Sequence, residues 1–155
     1  MDREKLWSIL TKRCKNEQDE TLALLIIKMY QESKVVIGKH AFSADLGVVQ
    51  GGVLSPMLFN VYLEEALGET QKLRDMVNRG DLLAFADDML ILTNSKPEMA
   101  QAIKELESLS GIWNLRLNKA KSQVLTEDPS AEIGGIPCVT QVKYLGVPIC
   151  IDPKA

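Results

Sequence analysis

The chain of 155 residues is 46% apolar, which is enough to bury one core and predicts a single domain over residues 1–155. Its formal net charge of −3 argues against nucleic-acid binding driven by charge alone. Apolar runs end within about ten residues, short of the roughly twenty that a membrane-spanning helix needs, so no membrane span is predicted.

The cysteines and the N-terminal segment bear on the compartment. Cys14, Cys138 and Cys150 are odd in number and lack the paired spacing of a zinc site. They favour a reducing, intracellular setting over a disulfide framework. The N-terminus carries no signal that would distinguish the nucleus from an organelle such as the mitochondrion.

The first elements are predicted from apolar spacing. Residues 3–13 and 19–32 follow a helical period, and the second helix is expected to bury one apolar face. That face consists of Leu22, Leu25, Ile26, Met29 and Tyr30. A β-branched run at residues 34–38 predicts a strand that pairs with residues 40–42.

A glycine-rich segment comes next. Its glycines, Gly47, Gly51 and Gly52, free the backbone to turn and admit the close approach of another group. One interpretation is an ordinary strand, glycine turn and capped helix. The other is a loop whose Gln50 and glycines lie against a nucleotide or a templating base.

A helix is predicted directly after this loop. Ser55 suits the N-cap and Pro56 the first helical position. The expected core face is Leu58, Phe59, Tyr62, Leu63, Ala66 and Leu67. After an interruption near Gly68, helical sequence is expected to continue to Arg79.

Residues 82–92, LLAFADDMLIL, place Asp87 and Asp88 between two apolar runs. Each run is too short for an isolated helix, so two buried strands joined by a tight turn are predicted, with the carboxylates at its tip. Neighbouring carboxylates repel, and a divalent cation between them offsets that cost. The alternative is ordinary turn chemistry, to which Asp is well suited.

The remaining elements are one helix and two strands. Residues 96–113 predict an amphipathic helix with Met99, Ile103, Leu106, Leu109 and Trp113 on its core face. Leu115 and Leu117 are expected in the core, before a basic turn and a strand at residues 122–125. Residues 127–135 predict a loop, and residues 142–147 a strand that ends in a Gly-Val-Pro turn.

Four segments in this order resemble the palm of reverse transcriptases: QGGVLSPMLFNVYLEEAL, FADDML, LRLNKAKSQVL and KYLGV. The resemblance is closest to non-LTR (LINE-like) retrotransposons and more distant to group II introns. REKLWSIL also resembles the helix that follows the family's first catalytic motif. The resemblance implies an α+β, polymerase palm-like fold, in which a small antiparallel sheet carries the Asp87-Asp88 hairpin, backed by the helices from Ser55 and Lys96.

The resemblance also implies roles for individual residues. Asp87 is the metal ligand and Asp88 its partner, for Mg²⁺ or Mn²⁺ if the chain is competent. Lys121 matches a lysine that donates a proton to pyrophosphate, with a solvated turn lysine as the alternative. The nucleotide and template loop is Gln50, Gly51 and Gly52, and the primer-gripping hairpin is Tyr144, Leu145 and Gly146. The implied partners are an RNA template and a DNA primer.

The sequence departs from the family at its start. The first catalytic motif, an Asp on a strand, is expected directly before REKLWSIL, and Asp2 has no strand before it. The fingers and thumb are also not matched, so this chain alone is expected not to polymerise. Either a larger protein or ribonucleoprotein assembly supplies the missing parts, or the palm is a domesticated structural or interaction subunit. Four ordered motifs disfavour an unrelated domain.

Overall fold

The computed structural model describes residues 1–37, 39–43, 47–49, 51–129 and 131–151. Contacts divide the chain into two compact units, Met1–Ala66 and Leu67–Ala155, and each contains buried apolar side chains. Within the described residues, no helix has the length and apolar character needed to cross a membrane.

Two capped helices, α1 (Arg3–Arg13) and α2 (Glu17–Gln31), begin the first unit. The Asp2 carboxylate accepts a hydrogen bond from the Lys5 amide at 3.2 Å. The Asn16 side chain accepts one from the Asp19 amide at 2.9 Å. Such a cap contributes about 1 kcal/mol, so both predicted helices have a defined start.

The buried face of α2 differs from the predicted one. Ala23, Ile26 and Tyr30 are buried, and the Tyr30 ring contacts Arg3 and Trp7 of α1. Three residues expected in the core are instead 55–57% exposed: Leu22, Leu25 and Met29. The small side chain of Ala23 allows a neighbouring element to approach α2 closely on the face that also carries Ile26 and Tyr30. This face is therefore buried, and the larger side chains lie on the adjacent, exposed face.

Strands β1 (Lys34–Ile37) and β2 (His40–Ser43) form an antiparallel pair. The register pairs Ile37 with His40 and Lys34 with Ser43. The predicted pairing of residues 34–38 with residues 40–42 is therefore confirmed over the described positions.

Helix α3 (Ser55–Leu67) confirms most of its predicted core face. Phe59 is half-buried, and the fully buried members are Leu58, Tyr62, Leu63, Ala66 and Leu67. The N-cap prediction for Ser55 is wrong, because the Leu58 amide bonds the Leu54 carbonyl at 3.0 Å and Ser55 is already helical. The Ser55 hydroxyl instead donates to the Val49 carbonyl at 2.6 Å, which the turn before the helix brings within reach.

The second unit begins with helix α4 (Gln71–Arg79), followed by strands β3 (Leu82–Phe85) and β4 (Asp88–Ile91). Thr70 caps α4 by accepting from the Leu73 amide at 3.3 Å, and Gly80 ends it at a φ of 78°. The helical sequence after Gly68 is therefore a separate helix. Within this unit α4 packs against β3.

The strands on either side of the Asp pair are less buried than predicted. Leu82 is 3% exposed, but Leu83 and Phe85 are 49% and 64% exposed. Because β3 and β4 pair with each other and with no other described strand, the ribbon has two faces, and packing on α4 covers little of them. The expectation of two buried strands is therefore wrong.

Helix α5 (Lys96–Trp113) carries the largest set of buried residues in the second unit. Ser95 caps it by accepting from the Glu98 amide at 3.3 Å, and Asn114 ends it at a φ of 51°. The predicted core face is confirmed, with Met99 half-buried and four residues fully buried: Ile103, Leu106, Leu109 and Trp113. Helix α4 packs against α5.

Three short strands follow, β5 (Val124–Leu125), β6 (Glu132–Ile133) and β7 (Ile136–Val139). β7 lies in the middle, parallel to β5 and antiparallel to β6. Their buried side chains form a cluster with α5, comprising Ile103, Val124, Ile133, Ile136 and Cys138. The segment 127–135, predicted as a loop, therefore contains strand β6. Gly134 and Gly135 follow this strand and form the hairpin turn to β7.

The last two strands are β8 (Gln141–Tyr144) and β9 (Val147–Cys150), paired antiparallel. The single strand predicted at residues 142–147 is therefore wrong at its end, because Leu145 and Gly146 form a turn. Their φ angles of 48° and 87° suit a two-residue hairpin of type I′. Strand β8 lies beside β5.

Candidate active site

The aspartate hairpin is defined by its register. Phe85 pairs with Asp88, so Ala86 and Asp87 are the two turn residues. Ala86 has a φ of 53°, which non-glycine residues adopt at a cost of about 1 kcal/mol. Asp87 and Asp88 are exposed, as predicted for the tip. Among the described residues, neither carboxylate takes part in an ion pair or a side-chain hydrogen bond.

The base of this hairpin is fixed within the second unit. The Leu92 amide donates to the Asp81 carbonyl at 2.7 Å, and the Asp81 carboxylate accepts from Arg79 Nε at 2.7 Å. This hydrogen bond raises the pKa of Arg79 above its ordinary value. Leu82 is buried beside α4. The tip is therefore exposed while the base is anchored.

The donors present fit part of a magnesium coordination shell. Mg²⁺ in proteins is commonly held by one or two carboxylates together with water and substrate phosphates. Asp87 and Asp88 supply two such carboxylates. Over the described ranges, no group of three His, Cys, Asp or Glu side chains lies close enough to hold a metal ion without further ligands.

The glycine loop belongs to the first unit, and Gln50 lies outside the described residues. Gly51 has a φ of 81°, a conformation that favours glycine. A Cβ added to Gly52 would stand 2.6 Å from Ser55 Oγ and 3.1 Å from the Val49 carbonyl oxygen. Glycine is thus favoured at Gly51 by the backbone conformation and at Gly52 by the close contacts with Ser55 and Val49.

The basic turn lies between α5 and β5. The Lys121 amide donates to the Asn118 carbonyl at 3.1 Å, which closes the turn. Lys121 is exposed and forms no ion pair with another described residue, whereas Lys119 Nζ lies 2.5 Å from a Glu107 carboxylate oxygen of α5. The two lysines of the basic turn therefore differ: Lys119 is held by the helix, and Lys121 projects from the turn.

The predicted primer-gripping residues lie at the end of the β8–β9 hairpin. Tyr144 is the last residue of β8 and pairs with Val147, and Leu145 and Gly146 form the turn between them. Tyr144 is half-buried, and Leu145 is 50% exposed. The tip of this hairpin therefore presents an apolar side chain.

The predicted site residues divide between the units. The glycine loop lies in Met1–Ala66, while the aspartate hairpin, Lys121 and the β8–β9 hairpin lie in Leu67–Ala155. The Asp pair lies at a hairpin turn, as predicted, and Leu145 and Gly146 form a turn within a hairpin. The assignment of these groups to one catalytic centre stays a prediction.

Sequence reasoning missed Arg3. Its side chain is 92% buried, with a relative exposure of 8%, and its guanidinium contacts the Tyr30 ring and two backbone carbonyls. The available signal was spacing, because Arg3, Leu6 and Leu10 follow the i, i+3, i+7 positions of one helix face. Spacing places Arg3 on that face, but the contacts that bury its guanidinium come from Gly47 and Tyr30, which are distant in the sequence.

The fold and the hairpin define an α+β protein of the polymerase palm type. A comparison with protein families agrees: the model described as "Reverse transcriptase (RNA-dependent DNA polymerase)" matches residues 3–149. The chain belongs to the reverse transcriptase family. No solved structure matches it at a significant level.

Proposed function

We propose that this chain supplies the palm of an RNA-directed DNA polymerase and works when a further carboxylate is supplied from outside these 155 residues. The observation that carries this proposal is the Asp87-Asp88 pair, exposed at the tip of an anchored two-residue hairpin. Family membership supports the reaction class, and the adjacent carboxylates support a metal-dependent step.

In this proposal Asp87 and Asp88 hold divalent cations, Mg²⁺ or Mn²⁺. Such cations activate the primer 3′-hydroxyl and neutralise charge on the departing pyrophosphate. Lys121 projects from a turn and provides a cation that can donate a proton to that leaving group. Gly51 and Gly52 admit the incoming nucleotide and template base, and the β8–β9 hairpin holds the primer end.

The alternative is a domesticated palm that acts as a structural or interaction subunit. The net charge of −3 favours this alternative, because a free-standing protein that binds a template and primer gains affinity from net positive charge. Both candidates place the chain in a larger protein or ribonucleoprotein assembly. They differ in whether the Asp pair binds metal and supports synthesis.

The first test is metal binding by the isolated chain. Mn²⁺ titration followed by NMR is expected to broaden the amides of residues 86–89 selectively. Asp87→Asn and Asp88→Asn should each remove that selectivity. The matched control is Asp81→Asn, because Asp81 lies in the same hairpin and is engaged by Arg79. If the selective broadening persists in both Asp87→Asn and Asp88→Asn, the metal-site proposal is refuted.

The second test is synthesis. We expect no primer extension by the isolated chain on an RNA template with Mg²⁺ or Mn²⁺, since the two-metal reaction requires carboxylates beyond this one pair. Robust extension that disappears in Asp87→Ala would overturn the need for a further carboxylate.

The third test is recovery of the untagged chain from its native source, followed by mass spectrometry. Fingers and a strand-borne aspartate are expected in the recovered material, on a longer form of this chain or on a companion polypeptide, and that material should then extend a primer. Stoichiometric recovery in an assembly that contains neither, and without extension activity, would favour the structural alternative.

A further inference from the structure

A buried arginine anchors one end of the glycine loop. Arg3 Nε donates to the Gly47 carbonyl at 2.7 Å, and Arg3 Nη1 donates to the Tyr30 carbonyl at 3.2 Å. The guanidinium carbon also lies 5.4 Å from the centre of the Tyr30 ring. Because burying a charge costs free energy unless it is hydrogen-bonded, these contacts fix both the arginine and the backbone that it holds.

A chain of hydroxyl groups anchors the loop at a second point. Ser55 Oγ lies 2.6 Å from the Val49 carbonyl and 3.1 Å from the Tyr30 hydroxyl. A serine hydroxyl has one proton, so Ser55 donates to Val49 and accepts from Tyr30. The same Val49 carbonyl accepts from the Gly52 amide at 3.0 Å. The order of donation is therefore Tyr30 to Ser55 to Val49.

Both anchors hold main-chain atoms of the loop. The Gly47 amide donates to the Met1 carbonyl at 3.2 Å, so Gly47 is held at its N–H and at its C=O. Val49 is held at its carbonyl by Ser55 and by Gly52. Arg3 and Ser55 thus converge on one short segment, and Tyr30 is shared by both anchors.

We propose that Arg3, Tyr30 and Ser55 are positioning residues that hold the glycine loop in the conformation in which it receives a nucleotide. This inference rests on the proposed nucleotide-binding role of Gly51 and Gly52. None of the three residues contacts the substrate in this proposal, because they act through the carbonyls of Gly47 and Val49.

A structural role alone predicts a different result. A buried charge can often be replaced by an apolar side chain of similar size with little loss of stability. If Arg3 only filled the core, Arg3→Met would leave the exposure of the loop amides unchanged. If Arg3 positions the loop, the same substitution loosens the loop more than the helices around it.

Amide hydrogen exchange on the full chain separates these cases. In Arg3→Met, exchange at the Gly47 and Gly52 amides is expected to rise at least tenfold beyond any rise at Ile26. Ile26 lies inside α2 and reports on opening of the whole unit. Arg3→Lys retains a hydrogen-bond donor but lacks the planar guanidinium group with its several N–H donors. It should therefore protect the loop amides from exchange better than Arg3→Met does, but less well than arginine.

Two further variants keep the test decisive if Arg3→Met folds poorly. Tyr30→Phe removes only the hydroxyl and should affect the Gly52 amide more than the Gly47 amide. The matched control is Arg13→Met on the same helix, where the arginine pairs with the exposed carboxylates of Glu64 and Glu65. Loop amides that change no more than Ile26 in both Arg3→Met and Tyr30→Phe would overturn the proposal.

Nucleotide binding distinguishes this inference from the function on which it rests. Titration with dGTP and Mg²⁺ should shift the Gly51 and Gly52 amides, and Arg3→Met should weaken that binding at least threefold. Undiminished binding by Arg3→Met, despite a loosened loop, would refute the positioning role. If Arg3→Met raises amide exchange in the loop but the wild-type Gly51 and Gly52 amides do not respond to dGTP, the nucleotide-binding role is refuted, and Arg3 is an anchor of the loop alone.

Discussion

Gly134 provides the most quantitative test of the packing in the second unit. It has a φ of 59°, and a Cβ at this position would lie 2.8 Å from Ile103 Cγ2 and 3.2 Å from Ile103 Cβ. Ile103 is 3% exposed and belongs to the cluster formed by α5, β5, β6 and β7, so it has little room to move. Gly134→Ala therefore combines backbone strain with overpacking.

The expected loss for Gly134→Ala is about 2–4 kcal/mol. A positive φ costs an alanine about 1–2 kcal/mol, partly offset by about 0.4–1 kcal/mol from the stiffer unfolded chain. Overpacking a filled core adds about 1–3 kcal/mol. Gly146→Ala is the matched control, because Gly146 has a φ of 87° and nothing within 4 Å of the added Cβ. Its loss should be about 1 kcal/mol.

Urea unfolding followed by circular dichroism measures both losses, provided that the dependence on urea is unchanged between variants. The double variant Gly134→Ala with Ile103→Ala adds a sharper check. Ile103→Ala removes the atom closest to the added Cβ. The double variant should therefore lose less stability than the sum of the two single losses, by about 1 kcal/mol or more. Equal losses for Gly134→Ala and Gly146→Ala, with additive energies in the double variant, would refute this account.

Three further predictions concern single side chains. Burial raises the pKa of Tyr62, so its contribution to stability is complete below the unfolded-state value of about 10 and is lost as pH rises above it; Tyr62→Phe should therefore flatten the loss measured by urea unfolding between about pH 9 and 11. Ala86→Gly should stabilise the fold by up to about 1 kcal/mol by relieving the positive φ, and a lowered melting temperature would contradict this. Asp87→Ala and Asp88→Ala should each be neutral or stabilising, because the two carboxylates repel and bond no described side chain; a marked drop in melting temperature would indicate a structural role.

Local signals in the sequence placed the elements well. The apolar spacing of the helices, the β-branched run before His40 and the apolar runs around the Asp pair are short-range patterns, so the elements form where neighbouring residues dictate. The order of the motifs was sufficient for the reverse transcriptase family, which the match over residues 3–149 bears out. The roles of Asp87, Lys121 and the primer-gripping residues stay predictions.

Short strands were harder to find. Strand β6 has two residues, and β5 pairs with β7 across a connection that passes through β6. Alternation over two residues carries almost no information, and Gly134 and Gly135 are as typical of a loop as of the turn that they form between β6 and β7. Leu145 has a positive φ that its residue type does not suggest, so the residue pattern alone predicts a strand where the structure has a hairpin turn.

The sequence by itself determined the helices, the strands around the Asp pair, the glycine loop and the family, because each follows from spacing between near neighbours. The tertiary structure decided which faces are buried. It exposes Leu22, Leu25 and Met29, leaves the strands of the aspartate hairpin largely open, and buries Arg3. These outcomes depend on which element packs against which, and the buried charge of Arg3 is tolerated only because distant carbonyls converge on it.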